Sequence, residues 1–359
     1  MRFIQDLLSF FHEAQQDQIR TALVTVVAVE GSSYRRIGAR MLVREDGLFW
    51  GGISGGCLEG DALKKARWAI TKDQPSLAIY DTSREDDHQI GVGLGCQGVI
   101  HILFQPLDPH DPEHPLLVLA SCLDNPRVVQ PIATITQSTA PSWPLGKTCR
   151  WENLDDYLQN ALPIHIPDPK SRVYHIEHPE GSVSVCLEFI HPSIRIYMAG
   201  FQADTRPLGM LAHHVGFETW LWTKPQKVEA PSHWMVVPDH QVPEWDDFSA
   251  VVLMSHDFKT DKENLKRILA HQPPPYIGLL GPRVRAERLW SELKEEGLIL
   301  SEENLNRQFA PAGLDIGATT PEEIALSILA EIRAVFSKRA GQFLRLRTTP
   351  IHERIIPSP

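Results

Sequence analysis

Two glycine-rich segments each hold one cysteine: Gly51-Gly52-Ile53-Ser54-Gly55-Gly56-Cys57-Leu58-Glu59-Gly60 and Gly91-Val92-Gly93-Leu94-Gly95-Cys96-Gln97-Gly98. Glycine lets a backbone take positive φ and come close to a ligand, and successive amides in such a turn form a concavity that attracts anions. A thiol set among them can be held near its reactive, low-pKa form. The same residues also suit two tight strand-linking turns whose cysteines pack as small apolar groups. Repetition of the pattern within a hundred residues favours the ligand site.

Other residues could serve such a site. Arg35, Arg36 and Arg40 precede the first segment and could clamp an anion, or form a solvated charged face. Tyr80 to His88 offers carboxylates and a histidine in one loop, where oxygen-rich metal binding is conceivable but the spacing matches no motif. Ser255-His256-Asp257 follows an apolar run; His256 could be an acid/base or orient a ligand, or simply stand beside a helix that Asp257 caps. Gly281-Pro282-Arg283 suits phosphate recognition by a guanidinium and equally a plain strand-to-helix turn. Asp315 lies in Gly313 to Ala318, which reads first as a loop leading into a helix and second as a lid on the same crevice. No GxSxG elbow exists, so a serine hydrolase is not supported.

The elements that must position these residues read as follows. Apolar spacing predicts a first helix near the N-terminus, strands over Thr21 to Val29, Ala39 to Val43 and Leu48 to Trp50, and a helix over Cys57 to Ile70. The first Gly/Cys loop therefore opens a helix, whose N-terminal amides favour an anion; the second runs into a strand over Val99 to Phe104. Residues 108–193 read as a strand-rich continuation of the first domain plus a linker. From residue 194 strands alternate with helices, which implies a parallel sheet of βαβ units. Thr320-Pro321-Glu322-Glu323 combines an N-cap, Pro at the first helical position and Glu three residues on, so a last helix begins there.

The turn after Ile194 to Met198 is where a dinucleotide-binding fold would carry GxGxxG. Here Gly200 is followed by Gln202 and Thr205 at the second and third glycine positions, and Thr223-Lys224 stands where an acid would hold the ribose. NAD(P) binding is expected to be weak or absent.

With 359 residues, 42% hydrophobic and 22% charged, the chain fits a soluble globular protein of about two domains. A net charge of -10 argues against a nucleic-acid partner. Five scattered cysteines and no CxxC pair fit a reducing compartment and no structural zinc. No signal peptide or apolar run of membrane-spanning length is legible, so cytoplasm is the expected location.

Gly31-Ser32-Ser33, Arg35-Arg36, Gly38-Ala39-Arg40-Met41, Ser54-Gly55-Gly56-Cys57-Leu58-Glu59 and Gly93-Leu94-Gly95-Cys96 strongly resemble the N-terminal domain of the XdhC/CoxI family, the xanthine dehydrogenase accessory factors. Ser255-His256-Asp257, Tyr276 to Arg283 and Gly313 to Ala325 resemble that family's C-terminal Rossmann-type domain. The resemblance covers 1–107 and 194–335.

It implies an α/β protein with an N-terminal mixed α/β domain (1–107) and a Rossmann-like parallel-sheet domain (194–339); the strand-rich continuation and linker (108–193) and a tail (340–359) lie outside it. It further implies a homodimer that binds molybdenum cofactor and assists its sulfuration and insertion into a molybdenum hydroxylase such as xanthine dehydrogenase, beside a cysteine desulfurase, as a carrier and not as an enzyme. Cys57 and Cys96 match the family's cysteines and become candidate molybdenum ligands or sulfur relays. The alternative is an NAD(P)-dependent oxidoreductase using the Rossmann half with His256 or Cys96 as catalytic group.

Overall fold

The computed structural model describes residues 1–31, 35–56, 58–81, 98–111, 113–162, 164, 169–224 and 230–348. Two compact units divide the chain at Pro192. The first comprises Met1–His191 with the described residues from Leu344 onward, and the second Pro192–Phe343.

The first unit opens with α1 (Arg2–Gln16), then β1 (Thr21–Gly31), β2 (Arg40–Arg44), β3 (Phe49–Gly51), α2 (Glu59–Lys72), β4 (Ser76–Asp81) and β5 (Gly98–Leu107). These five strands form one sheet in the order β3-β2-β1-β5-β4, antiparallel throughout. β1 is apolar without alternation because both faces are covered. Ala22, Val24 and Val26 pack under α2 through Ala62, Ala66 and Ala69, small residues that let the helix lie close. Leu23 faces α1 through Leu7 and Phe11.

Residues 108–193 build a second sheet. After α3 (Pro115–Ser121) come β6 (Gln130–Ser138), β7 (Thr148–Arg150), α4 (Asp156–Ala161), β8 (Arg172–His178) and β9 (Gly181–Ile190). The antiparallel order is β7-β6-β9-β8, with Ala133, Ile135, Val183, Val185 and Leu187 in its core beneath Leu158 of α4. Cys186 of β9 packs against Val27 and Leu103, which seats this sheet on the first.

The second unit runs β10 (Arg195–Ala199), α5 (Thr205–His214), β11 (Glu218–Thr223), β12 (Met235–Pro238), β13 (Ser249–Leu253), α6 (Phe258–Leu269), β14 (Tyr276–Leu279), α7 (Arg283–Glu295), α8 (Glu302–Asn306), β15 (Gln308–Phe309) and α9 (Pro321–Phe336). Its six parallel strands stand in the order β12-β11-β10-β13-β14-β15, so the unit's own strands run 3-2-1-4-5-6, the doubly wound order. α5 and α9 cover one face through Leu208, Ala212, Ile328 and Ile332; α6 and α7 cover the other through Leu265, Ile268, Leu289 and Leu293. Thr320 and Glu323 close a capping box at the start of α9.

Candidate functional site

Register gathers the candidate residues of the first unit at one end of its sheet. Gly31 closes β1 opposite Gly98, where β5 begins. Asp81 closes β4 opposite Val99. Arg40 opens β2, and Gly51 closes β3 beside Met41. The Arg35–Arg36 loop, the first Gly/Cys segment and the chain leading to and from the second therefore all leave this one end. Ser32 to Tyr34, Cys57 and 82–97, and with them Gly93, Gly95, Cys96 and His88, lie outside the described residues.

The first Gly/Cys segment is a turn between β3 and α2. Ser54 is buried, and its N–H donates to Glu59 Oε1 at 2.9 Å. Its hydroxyl bonds the other Glu59 oxygen and accepts from Leu58 N–H at 3.1 Å. Burial works to raise the Glu59 pKa, but the Ser54 hydroxyl and the backbone N–H groups of Ser54, Glu59 and Gly56 outweigh it and hold the carboxyl below its usual range. The amide concavity predicted for an external anion is thus filled by the chain's own carboxylate, which the helix N-terminus favours in the same way. Gly55 and Gly56 remain exposed, with open space where a Gly56 Cβ would stand. Arg35 is at the rim, its Nε 3.5 Å from the Ser54 carbonyl, and Arg36 is exposed.

Arg40 is not at that rim. Its guanidinium is buried and bonds both carboxylate oxygens of Glu188 on β9. A Cβ on Gly38 would collide with that carboxylate, and Gly38 has φ +89. The anion that Arg40 clamps is internal, because two sheets meet over it and a buried guanidinium without a partner is costly.

In the second unit the crevice lies at the carboxyl ends of β10 and β13, where the strand order reverses. Gly200 has φ +116, and a Cβ there would come 2.5 Å from Ser255 Cα. Its close approach is to the β13 loop. His256, at φ +58, reaches across to Asp204 with Nε2 2.9 Å from Oδ2, and Gln202 Nε2 donates to the Ser255 carbonyl at 3.2 Å. Asp204 sits at the N-cap of α5, the place a pyrophosphate would take. Asp257 caps α6 by accepting from Thr260 N–H; the Thr260 hydroxyl and N–H hold its carboxyl below the usual range.

Arg283 is exposed and pairs with Glu287 one turn along α7. The arginine held at this edge is Arg285, which donates to the buried Asp261 at 2.7 Å; Asp261 in turn accepts from the Ser255 hydroxyl at 2.6 Å. The recess bounded by Asp261, Gly281 and Arg285 admits no water molecule. Asp315 is exposed in the loop before α9. Asp204, Asp261 and Arg285 were not singled out from the sequence: Asp204 stands in the turn read for its glycine positions, Arg285 lies two residues past Gly281-Pro282-Arg283, and the strand order is what brings these loops together with Asp261.

Residues 14–81 match the family described as "XdhC and CoxI family", and residues 196–332 match the "XdhC Rossmann domain". This chain belongs to the XdhC and CoxI family. It is 29% identical over 335 residues, 88% of this chain and 93% of the other, to a probable xanthine dehydrogenase subunit of Bacillus subtilis. It is 24% identical over 92% of its length, and 87% of the other, to the "Molybdenum cofactor insertion chaperone PaoD" of Escherichia coli. A crystal structure described as a xanthine dehydrogenase from Bacillus halodurans superposes with a TM-score of 0.67 at 26% identity, covering 92% of this chain and 96% of that one. Among the described residues no group of three or more His, Cys, Asp or Glu could hold a metal ion, and no helix is long and apolar enough to cross a membrane.

Proposed function

We propose that this XdhC/CoxI protein is an accessory protein of a molybdenum enzyme, binding molybdenum cofactor and presenting it, with assistance in sulfuration, for insertion into a hydroxylase of the xanthine dehydrogenase type. In the finer reading it works as a homodimer beside a cysteine desulfurase. The observation that carries this is the gathering of the Arg35–Arg36 loop and the approaches to both Gly/Cys segments at one end of a single sheet. The named relatives, a cofactor insertion chaperone and a probable component of xanthine dehydrogenase, support it.

The residues suit such a group in part. An anionic end would be met by Arg35 at the rim and by the exposed turn at Gly55, beside Gly56, where a side chain would meet open space but whose N–H already serves Glu59. Glu59 already takes the Ser54 amide and hydroxyl, so its work is to hold the turn, and through Leu58 N–H the start of α2, in one conformation. Cys57 and Cys96 would contribute thiol donors. When bound, the cofactor supplies the molybdenum centre that a client enzyme uses. Anaerobic incubation with molybdenum cofactor followed by gel filtration should give stoichiometric co-elution of molybdenum and pterin, lost in Cys57→Ser or Cys96→Ser. No retention by a folded protein overturns the carrier reading; retention unchanged in both variants overturns the thiols' role.

The doubly wound strand order favours a second reading, an NAD(P)-dependent oxidoreductase. Against it stand Gln202 and the Asp204–His256 pair, which put a side chain and a negative charge where the pyrophosphate would lie. Calorimetry with NAD and NADP should show no micromolar binding; such binding would reinstate the oxidoreductase.

A further inference from the structure

α2 begins without a side-chain cap, because Leu58 stands at its N-cap. The first turn of a helix draws a nearby carboxylate, through its unbonded N–H groups and through the helix dipole. An acid at the third helical position ordinarily bends back over the helix start, as Glu323 does at that position of α9. Asp61 holds the same position in α2 but turns to the sheet. Its Oδ2 accepts from the Tyr80 hydroxyl of β4 at 2.7 Å and from the Lys65 ammonium at 2.9 Å, and that ammonium lies 5.6 Å from the centre of the Tyr80 ring. Burial works to raise the Asp61 carboxyl, but Lys65 and Tyr80 outweigh it and hold it below its usual range, so it is ionised at neutral pH. Burial and that carboxylate push the Tyr80 phenol far up, so it stays a donor. Gly60, between Glu59 and Asp61, is exposed with open space where a Cβ would stand, which leaves the start of α2 open.

We propose that Tyr80, with Lys65, is a positioning residue of the cofactor site: it holds the Asp61 carboxylate against β4 and so keeps a second negative charge off the start of α2. This rests on the reading of the Gly55 turn and Arg35 as the place that meets the cofactor's anionic end. One carboxylate there, that of Glu59, already builds the turn. A second, swung back over the helix start, would repel an anion at close range and would itself take up the dipole field that favours one. Positions i and i+2 of a helix do not face each other, so Asp61 is held aside without disturbing Glu59. Tyr80 acts from a strand, and its ring is fixed in the core that α2 shares with the sheet.

The test uses the full chain, loaded anaerobically with molybdenum cofactor and passed through gel filtration, with retained pterin as the readout and chemical denaturation as the check on folding. Tyr80→Phe keeps the buried ring and loses the hydroxyl; it should retain cofactor severalfold less well than the parent. Adding Asp61→Asn to Tyr80→Phe removes the charge that Tyr80 restrains and should restore the parent's retention, a rescue that a bond merely bracing the fold would not allow. In glycine-labelled protein without cofactor, the Gly60 N–H resonance should move in Tyr80→Phe as the freed carboxylate swings back. Equal retention by parent and Tyr80→Phe, a double variant as poor as Tyr80→Phe, or an unmoved Gly60 resonance would each overturn this role and leave the cofactor reading in place. No retention by the folded parent would overturn both.

Discussion

Cys122, Cys149 and Cys186 are the free cysteines among the described residues, and each is withdrawn from thiolate chemistry by its surroundings. Burial pushes Cys122 and Cys149 up to about 11 and raises Cys186 further still. At pH 8 a thiol near 11 is ionised in roughly one molecule in a thousand, and the thiolate is the nucleophile. Iodoacetamide at pH 8 should therefore leave all three unmodified in the folded protein, as peptide mass spectrometry would read; early label on the half-buried Cys149 would contradict this account. Glu59 carries a second expectation. Its carboxyl is lower in the folded chain than in the unfolded one, so its contribution is present above the unfolded value and is lost as pH falls through the folded value. Glu59→Gln should lower stability by about 1–2 kcal/mol at pH 7, and the gap from the parent should close in urea titrations as pH drops below the ordinary glutamate range.

At the scale of elements, Gly200 shows what its turn requires. Gly200→Ala meets Ser255 backbone at 2.5 Å and a φ of +116, a conformation side chains adopt only under strain. It should cost about 2 kcal/mol or more and displace the β13 loop, which NMR would read as loss of the His256–Asp204 contact; an unchanged His256 resonance would count against this account. The parallel half was legible because its strands are short apolar runs between capped helices, and Thr320-Pro321-Glu322-Glu323 marked α9 directly. The five-stranded sheet was legible from β-branched runs such as Thr21 to Val29. Residues 108–193 were harder: β7 has three residues, β6 carries Pro131, and β6 takes its longer pairing from residues 183–190 of β9. The first glycine loop disclosed a supply of amides but not that Glu59 uses them, since a spacing of five residues from Ser54 carries no such signal until α2 turns the carboxylate back. Arg40 likewise read as a clamp for an external anion or as part of a solvated face because its partner lies 148 residues on.

Over the whole molecule, the Arg40–Glu188 pair is the contact whose removal reaches furthest within the first unit. Breaking a buried pair from one side leaves an unpaired charge, so Glu188→Ala should destabilise that unit by roughly 3–5 kcal/mol, while joint replacement by Arg40→Met and Glu188→Leu should be far milder. Chemical denaturation of the three variants decides it, and equal losses for single and double changes would mean the pair does more than neutralise itself. Residues 192–343 have their own two-faced core and should unfold cooperatively when expressed alone. The pair also sets an order of events during synthesis. The ribosome releases β1, β2 and β5 long before β9, and until residues 186–188 emerge the cation on β2 has no counter-charge and the part of the sheet around Val27 and Leu103, which α1 does not reach, has no cover. The N-terminal half of the nascent chain must wait, exposed, for a strand nearly at the end of its own unit. Holdase chaperones and proteases would meet it first in that interval, and a ribosome stalled before β9 would leave a chain that they can still attack.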